Sequence, residues 1–185
     1  GGGFHDATGA AQYGGNGALP TAFAISGGSV VHRDDGFADD TKVQAIGLDS
    51  QGNLIVGEHS IRDLQSKGIT EALQFENPNY PTAIVVNGKS VFNGTAGSGR
   101  TARTAIGQRR SDNALLLLVL DGRTWGKTGA TLGDVRDVML HYGAQTAAEL
   151  DGGGSTTMVY NDKVINSPCE ALGERTVATC FYVEK

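Results

Sequence analysis

The chain has 185 residues, with 15 Lys and Arg against 20 Asp and Glu, a net charge of −5. Glycine fills 28 positions, roughly twice the usual share, but no G-x-y period runs through them, and 39% of the residues are hydrophobic, so collagen and a disordered chain are excluded. No basic run exceeds two residues and the longest apolar run is Ala114–Leu120, which argues against a nucleic-acid groove and is too short for a membrane span of about 20 residues.

The length suits a single domain over residues 1–185. In chain order, Thr21–Ser26 and Ser29–His32 are β-prone runs split by Gly27-Gly28, and Lys42–Leu48 and Asn53–Val56 flank Asp49-Ser50-Gln51-Gly52, so each pair predicts an antiparallel hairpin. Ser60, with Asp63 three residues on, opens a short helix that Gly68 stops. Thr70 to Phe75 suggests a further short helical turn, broken by Asn77-Pro78. Thr82–Val86 turns through Asn87-Gly88 into Ser90–Phe92. Ala114–Leu120 predicts a strand buried on both faces. Thr131 caps a helix from about Leu132 to Tyr142, whose Leu132, Val135, Val138, Met139 and Tyr142 recur at helical spacing until Gly143 ends it. Thr146–Leu150 leads into three glycines and a strand through Tyr160. Lys163–Ile165 follows a turn, and Val177–Val183 predicts a closing strand. The fold class is mixed α/β: a largely antiparallel or mixed twisted sheet, or two packed sheets, with few helices.

Two familiar chemistries fail. Gly122–Thr128 has three residues, not four, between the glycines of a would-be phosphate-binding loop, and no G-x-S-x-G surrounds a serine. His5, His32, His59 and His141 form no H-x-x-x-H pair, and the carboxylate spacing demands no metal, so no cofactor is expected. Cys169 and Cys180 are spaced so that a disulfide is open but not required. Trp125, in a glycine-rich loop, is a candidate for stacking on a sugar.

Three segments remain. In Asp151-Gly152-Gly153-Gly154-Ser155-Thr156, consecutive glycines leave backbone N–H groups unshielded, a turn that suits an anion-binding nest with hydroxyls beside it and a carboxylate at its mouth. A plain hairpin explains the same string. Arg100 and Arg103 lie on opposite sides of an extended strand, so only one need face a cleft. Glu174-Arg175 enters the last strand and reads equally as an exposed ion pair.

Taken together and in order, Gly1-Gly2-Gly3-Phe4, Arg103-Thr104-Ala105-Ile106-Gly107, Leu150-Asp151-Gly152-Gly153-Gly154-Ser155-Thr156 and Glu174-Arg175-Thr176-Val177 resemble the phosphodiester glycosidase family. The Asn that precedes the opening glycines in that family is absent, and so are upstream strands. The expectation is therefore a trimmed chain, or a processed N-terminal fragment of the same protein completing the sheet.

The resemblance implies hydrolysis of the anomeric C–O bond of a sugar-1-phosphodiester, releasing sugar and a phosphomonoester, by a bacterial extracellular or cell-envelope enzyme. Asp151 is then the catalytic carboxylate with Glu174 in reserve. Arg103 and Arg175 hold the phosphate, and Gly152, Gly153, Gly154, Ser155 and Thr156 donate hydrogen bonds. Phe4 and His5 line the pocket. The partner would be the sugar-1-phosphodiester or another phosphate-containing glycan, not nucleic acid or a membrane. Two other functions use the same donors: a non-catalytic module that binds anionic glycans, and a phosphodiesterase that cuts the P–O bond.

Overall fold

A computed structural model describes residues 1–5, 19–124, 127–169 and 173–184; the Trp125 expectation falls outside them. In chain order the elements are β1 (Phe4–His5), β2 (Leu19–Pro20), β3 (Phe23–Ser26), β4 (Ser29–Arg33), β5 (Val43–Asp49), β6 (Leu54–His59), α1 (Ile61–Ser66) and β7 (Ile69–Gln74). There follow β8 (Ala83–Val86), β9 (Lys89–Ser90), β10 (Arg103–Arg109), β11 (Leu115–Leu120), β12 (Arg123–Thr124), β13 (Lys127–Thr128), α2 (Leu132–His141) and β14 (Ala144–Leu150). After a 3-10 turn at Gly153–Ser155 come β15 (Val159–Tyr160) and β16 (Lys163–Val164). The two-packed-sheet form of the expectation is the one found.

The two five-stranded sheets, β4-β3-β7-β5-β6 and β9-β8-β14-β10-β11, have one topology. In each, two hairpins are followed by a helix, and the next strand returns between the hairpins as the central strand. The registers agree down to the bulge: Ala45, Ile46 and Gly47 face Gln74, Leu73 and Ala72, as Ala105, Ile106 and Gly107 face Glu149, Ala148 and Ala147. Pro20-Thr21-Ala22 recurs as Pro81-Thr82-Ala83, and Ala45-Ile46-Gly47 as Ala105-Ile106-Gly107. Both helices carry the same capping box, Ser60 with Asp63 and Thr131 with Asp134. The chain is a structural duplication.

Side-chain alternation sorts the core into three layers. Ile46, Leu73 and Phe75 of the first sheet meet Ile106, Ala148 and Leu150 of the second between the sheets. The outer face of the first sheet packs Ala45 and Ala72 against Ile61 and Leu64 of α1, and that of the second packs Ala105 and Ala147 against Leu132, Val135 and Met139 of α2. At Gly47 an added Cβ would lie 2.8 Å from Ile69 Cγ2 and 3.1 Å from Glu71 O, and at Gly107 3.1 Å from Thr146 O. Gly47→Ala is expected to destabilise the fold by about 1–3 kcal/mol through overpacking, read as a lower urea midpoint at unchanged slope; an unaltered midpoint would show that the sheet has slack there.

Three expected elements differ. Residues 70–75 lie in strand β7 and its end, not in a helical turn, because the central position between β3 and β5 overrides local propensity. Residues 115–120 form an edge strand paired to β10 and only half-buried, with Leu117 exposed. Residues 177–183 form no strand among the described residues; Phe181 instead packs on the inter-sheet core, and Thr179 Oγ1 accepts the Gly2 N–H. Cys169 and Cys180 are free thiols. Among the described residues, no helix is long and apolar enough to cross a membrane.

Candidate active site

A cavity of about 410 Å³ opens where both central strands end. Phe75, Glu76 and Asn77 line it beyond β7, and Glu149, Asp151, Gly152 and Gly153 at the end of β14. Tyr80, Thr101, Arg103, Gly3 and Phe4 complete the wall.

The pleat brings its charged floor together. Arg103 shares a face of β10 with Ala105, and Glu149 shares a face of β14 with Ala147, both towards the α2 layer. The two side chains are 3% and 2% exposed and form an ion pair of 2.5 Å. Arg103 Nε also donates to Ala130 O at 3.2 Å and Nη2 to Gly99 O at 2.8 Å, and the guanidinium stacks 5.3 Å from the Tyr80 ring. Three of its five N–H donors thus serve the protein and hold Glu149, while the side chain also lines the cavity where the sequence expectation placed it. Arg100 on the other side of the chain is exposed and pairs with Asp134.

Glu149 Oε2 is buried and has no hydrogen-bond partner among the described residues. Burial raises the Glu149 pKa; Arg103 opposes that rise, and the negative charge of Asp151 adds to it. Burial also raises the Asp151 pKa, against the pull of Ser155 and Arg175. The Ser155 hydroxyl is buried beside that carboxylate without making a well-formed hydrogen bond.

The triglycine bend is less of a nest than its composition suggests. Gly153 N–H donates to Ala102 O, Ser155 N–H to Gly152 O and Thr156 N–H to Gly153 O, so these three donors are engaged, two of them within the 3-10 turn. Gly152 is needed for close approach, since a Cβ there would sit 2.8 Å from Ala102 O. Of the three glycines only Gly153 has a positive φ, 55°. Thr156 is buried, and its hydroxyl bonds Thr104 Oγ1 at 3.1 Å. Ser155, Thr156 and Gly154 lie behind the lining, not on it.

Of the remaining expected residues, Phe4 lines the cavity, and the Arg175 guanidinium lies 4.9 Å from its ring. Arg175 also feels the Asp151 charge, so these two come together. Glu174 is exposed and His5 turns to Asp34; neither is on the wall. The sequence reading missed Glu149. Its signal was the i, i+2 spacing from Asp151 at a strand end, which places two carboxylates on one face.

One solved structure shares this architecture. The zebrafish N-acetylglucosamine-1-phosphodiester alpha-N-acetylglucosaminidase catalytic domain, auto-inhibited by its pro-peptide, superposes with a TM-score of 0.64 at 23% identity, over 83% of this chain and 55% of that one. A protein from Synechocystis gives 0.45 at 25% identity, over 66% and 23%. In Bacillus subtilis (strain 168), the SPbeta prophage-derived protein YomE is 38% identical over 77 residues, 42% of this chain and 12% of YomE. The chain therefore spans only part of these relatives. The sequence profile of the phosphodiester glycosidase family matches residues 1–184, and the chain belongs to that family.

Proposed function

We propose that this cavity hydrolyses the anomeric C–O bond of a sugar-1-phosphodiester. Water adds to the anomeric carbon, the C–O electron pair leaves with the phosphomonoester, and Asp151 takes the proton of the attacking water. A phosphomonoester leaves readily, so the site has less need of a strong general acid than in ordinary glycoside hydrolysis. What it needs is charge stabilisation at phosphate and a carboxylate by the oxocarbenium-like carbon. Arg175, against the Phe4 ring and within electrostatic reach of Asp151, supplies the cation. Asn77 and Thr101 add neutral donors. Glu149, held by Arg103 through Oε1, adds a second carboxylate to the cavity floor beneath the sugar. The observation that carries this reading is the pair of pKa-raised carboxylates, Glu149 and Asp151, in one cavity of the size of a sugar phosphate.

Turnover of a sugar-1-phosphodiester in ¹⁸O water tests it. Released sugar with an unlabelled phosphomonoester marks C–O cleavage. Label in the phosphate would make the protein a phosphodiesterase, and binding without product would make it a glycan-binding module; either result overturns the proposal.

The pH profile follows from the direction of the shift. Asp151 must be ionised to accept a proton, and burial raises its pKa. The acidic limb of kcat/KM is therefore expected above the ordinary carboxylate value of about 4, with activity lost as pH falls through it. A limb at or below that value would assign the base to another group.

A further inference from the structure

On the far side of β1 from the cavity, three groups converge that the proposed reaction does not use. His32 and Asp34, two residues apart at the end of β4, present their side chains on one face. His5 arrives from β1. The Nε2 atoms of His5 and His32 each lie 3.1 Å from Asp34 Oδ1, and all three ligand atoms fall within 4.8 Å of one another. Asp34 Oδ2 is held separately by the Ala22 N–H at 2.7 Å, which orients the carboxylate.

We propose that His5, His32 and Asp34 bind a single divalent transition-metal ion of the zinc type. Two imidazoles and one carboxylate are a donor set that suits zinc, copper, nickel or iron rather than calcium or magnesium. With metal–ligand bonds of about 2.0–2.1 Å, tetrahedral ligand atoms stand roughly 3.3 Å apart, close to the two nitrogen–oxygen separations here. Half the His5 side chain is exposed, as are 22% of His32 and 29% of Asp34, which leaves an entry path and room for water as a fourth ligand. The Ala22 N–H supplies the outer contact that fixes a ligating carboxylate.

The ion would clamp β1 to the β3–β4 hairpin. Successive side chains on a strand point to opposite sides, so fixing His5 also fixes Phe4, which lines the cavity and whose ring meets Arg175. The site would therefore be a positioning device for the opening segment. It rests on geometry alone, and its failure would leave the proposed hydrolysis untouched.

The test uses the full chain stripped with a chelator, titrated with Zn²⁺ in a calorimeter and with Co²⁺ by visible absorption. One equivalent should bind, with the intense d–d bands of four-coordinate Co²⁺. His32→Ala and Asp34→Asn should each weaken binding by at least about 100-fold, since each removes a ligand. His5→Ala removes a half-exposed side chain with one exposed contact to Asp34, and should weaken binding comparably while the metal-free melting temperature stays close to that of the parent. Absence of stoichiometric uptake, or uptake that His5→Ala leaves unchanged, would overturn the site.

Discussion

Arg103→Ala is expected to destabilise the fold by about 3–5 kcal/mol, the cost of leaving the opposite charge of a buried pair uncompensated. The partner left behind is Glu149, 2% exposed and already short of a hydrogen bond at Oε2. Without the guanidinium its pKa, raised by burial, should rise further. The folded state then binds a proton that the unfolded chain does not, so the defect is full above the folded pKa and shrinks as pH falls towards the unfolded value. Urea melts at about pH 5 and pH 8 should show the larger loss at the higher pH. Glu149→Gln in the same chain should recover part of it by removing the stranded charge. kcat/KM should drop on the order of 10²–10³-fold, because Glu149 loses its anchor. Lysine should rescue little, since one ammonium cannot reach Gly99 O, Ala130 O and Glu149 at once in the fork geometry of Arg103. A stable, active Arg103→Ala protein would remove the pair from the site.

Asp151→Asn should abolish turnover, by on the order of 10²–10⁴-fold for loss of the proton acceptor, while the melting temperature holds or rises slightly. Burial raises the Asp151 pKa, so its ionised form opposes folding at neutral pH, and a neutral amide of the same shape lifts that opposition. The comparison of kcat and melting temperature decides the role. If the variant unfolds, Asp151 is a structural residue of the turn; if it turns over normally, the base lies elsewhere.

Much of the fold was legible from local signals. The hairpins at Gly27-Gly28, residues 49–52 and Asn87-Gly88, and both capped helices, stand close to where turn and cap chemistry put them. What failed depends on neighbours distant in sequence. Residues 70–75 are strand because β3 and β5 flank them, and Leu115–Leu120 is apolar yet only half-covered because it lies at a sheet edge. The candidate site divided in the same way. Asp151, Gly152, Phe4 and Arg103 stood out as residues and do line one cavity, whereas Glu149 looked like an ordinary strand residue until its pairing with Arg103 was visible. The repeat of Pro-Thr-Ala and Ala-Ile-Gly was readable without coordinates, and aligning on it sets Gln74 against Glu149 and Glu76 against Asp151.

That duplication has a consequence for how the molecule holds together. Ile46, Leu73 and Phe75 are covered by Ile106, Ala148 and Leu150, so each half, alone in water, would present a bare greasy plane. Cut between Asn77 and Pro81, the polypeptide becomes two fragments, each of whose unsatisfied planes is the other's natural lid. The hollow at the ends of β7 and β14 has walls from both, so it comes into being only on reunion: chemistry here belongs to the marriage of the halves and to neither parent.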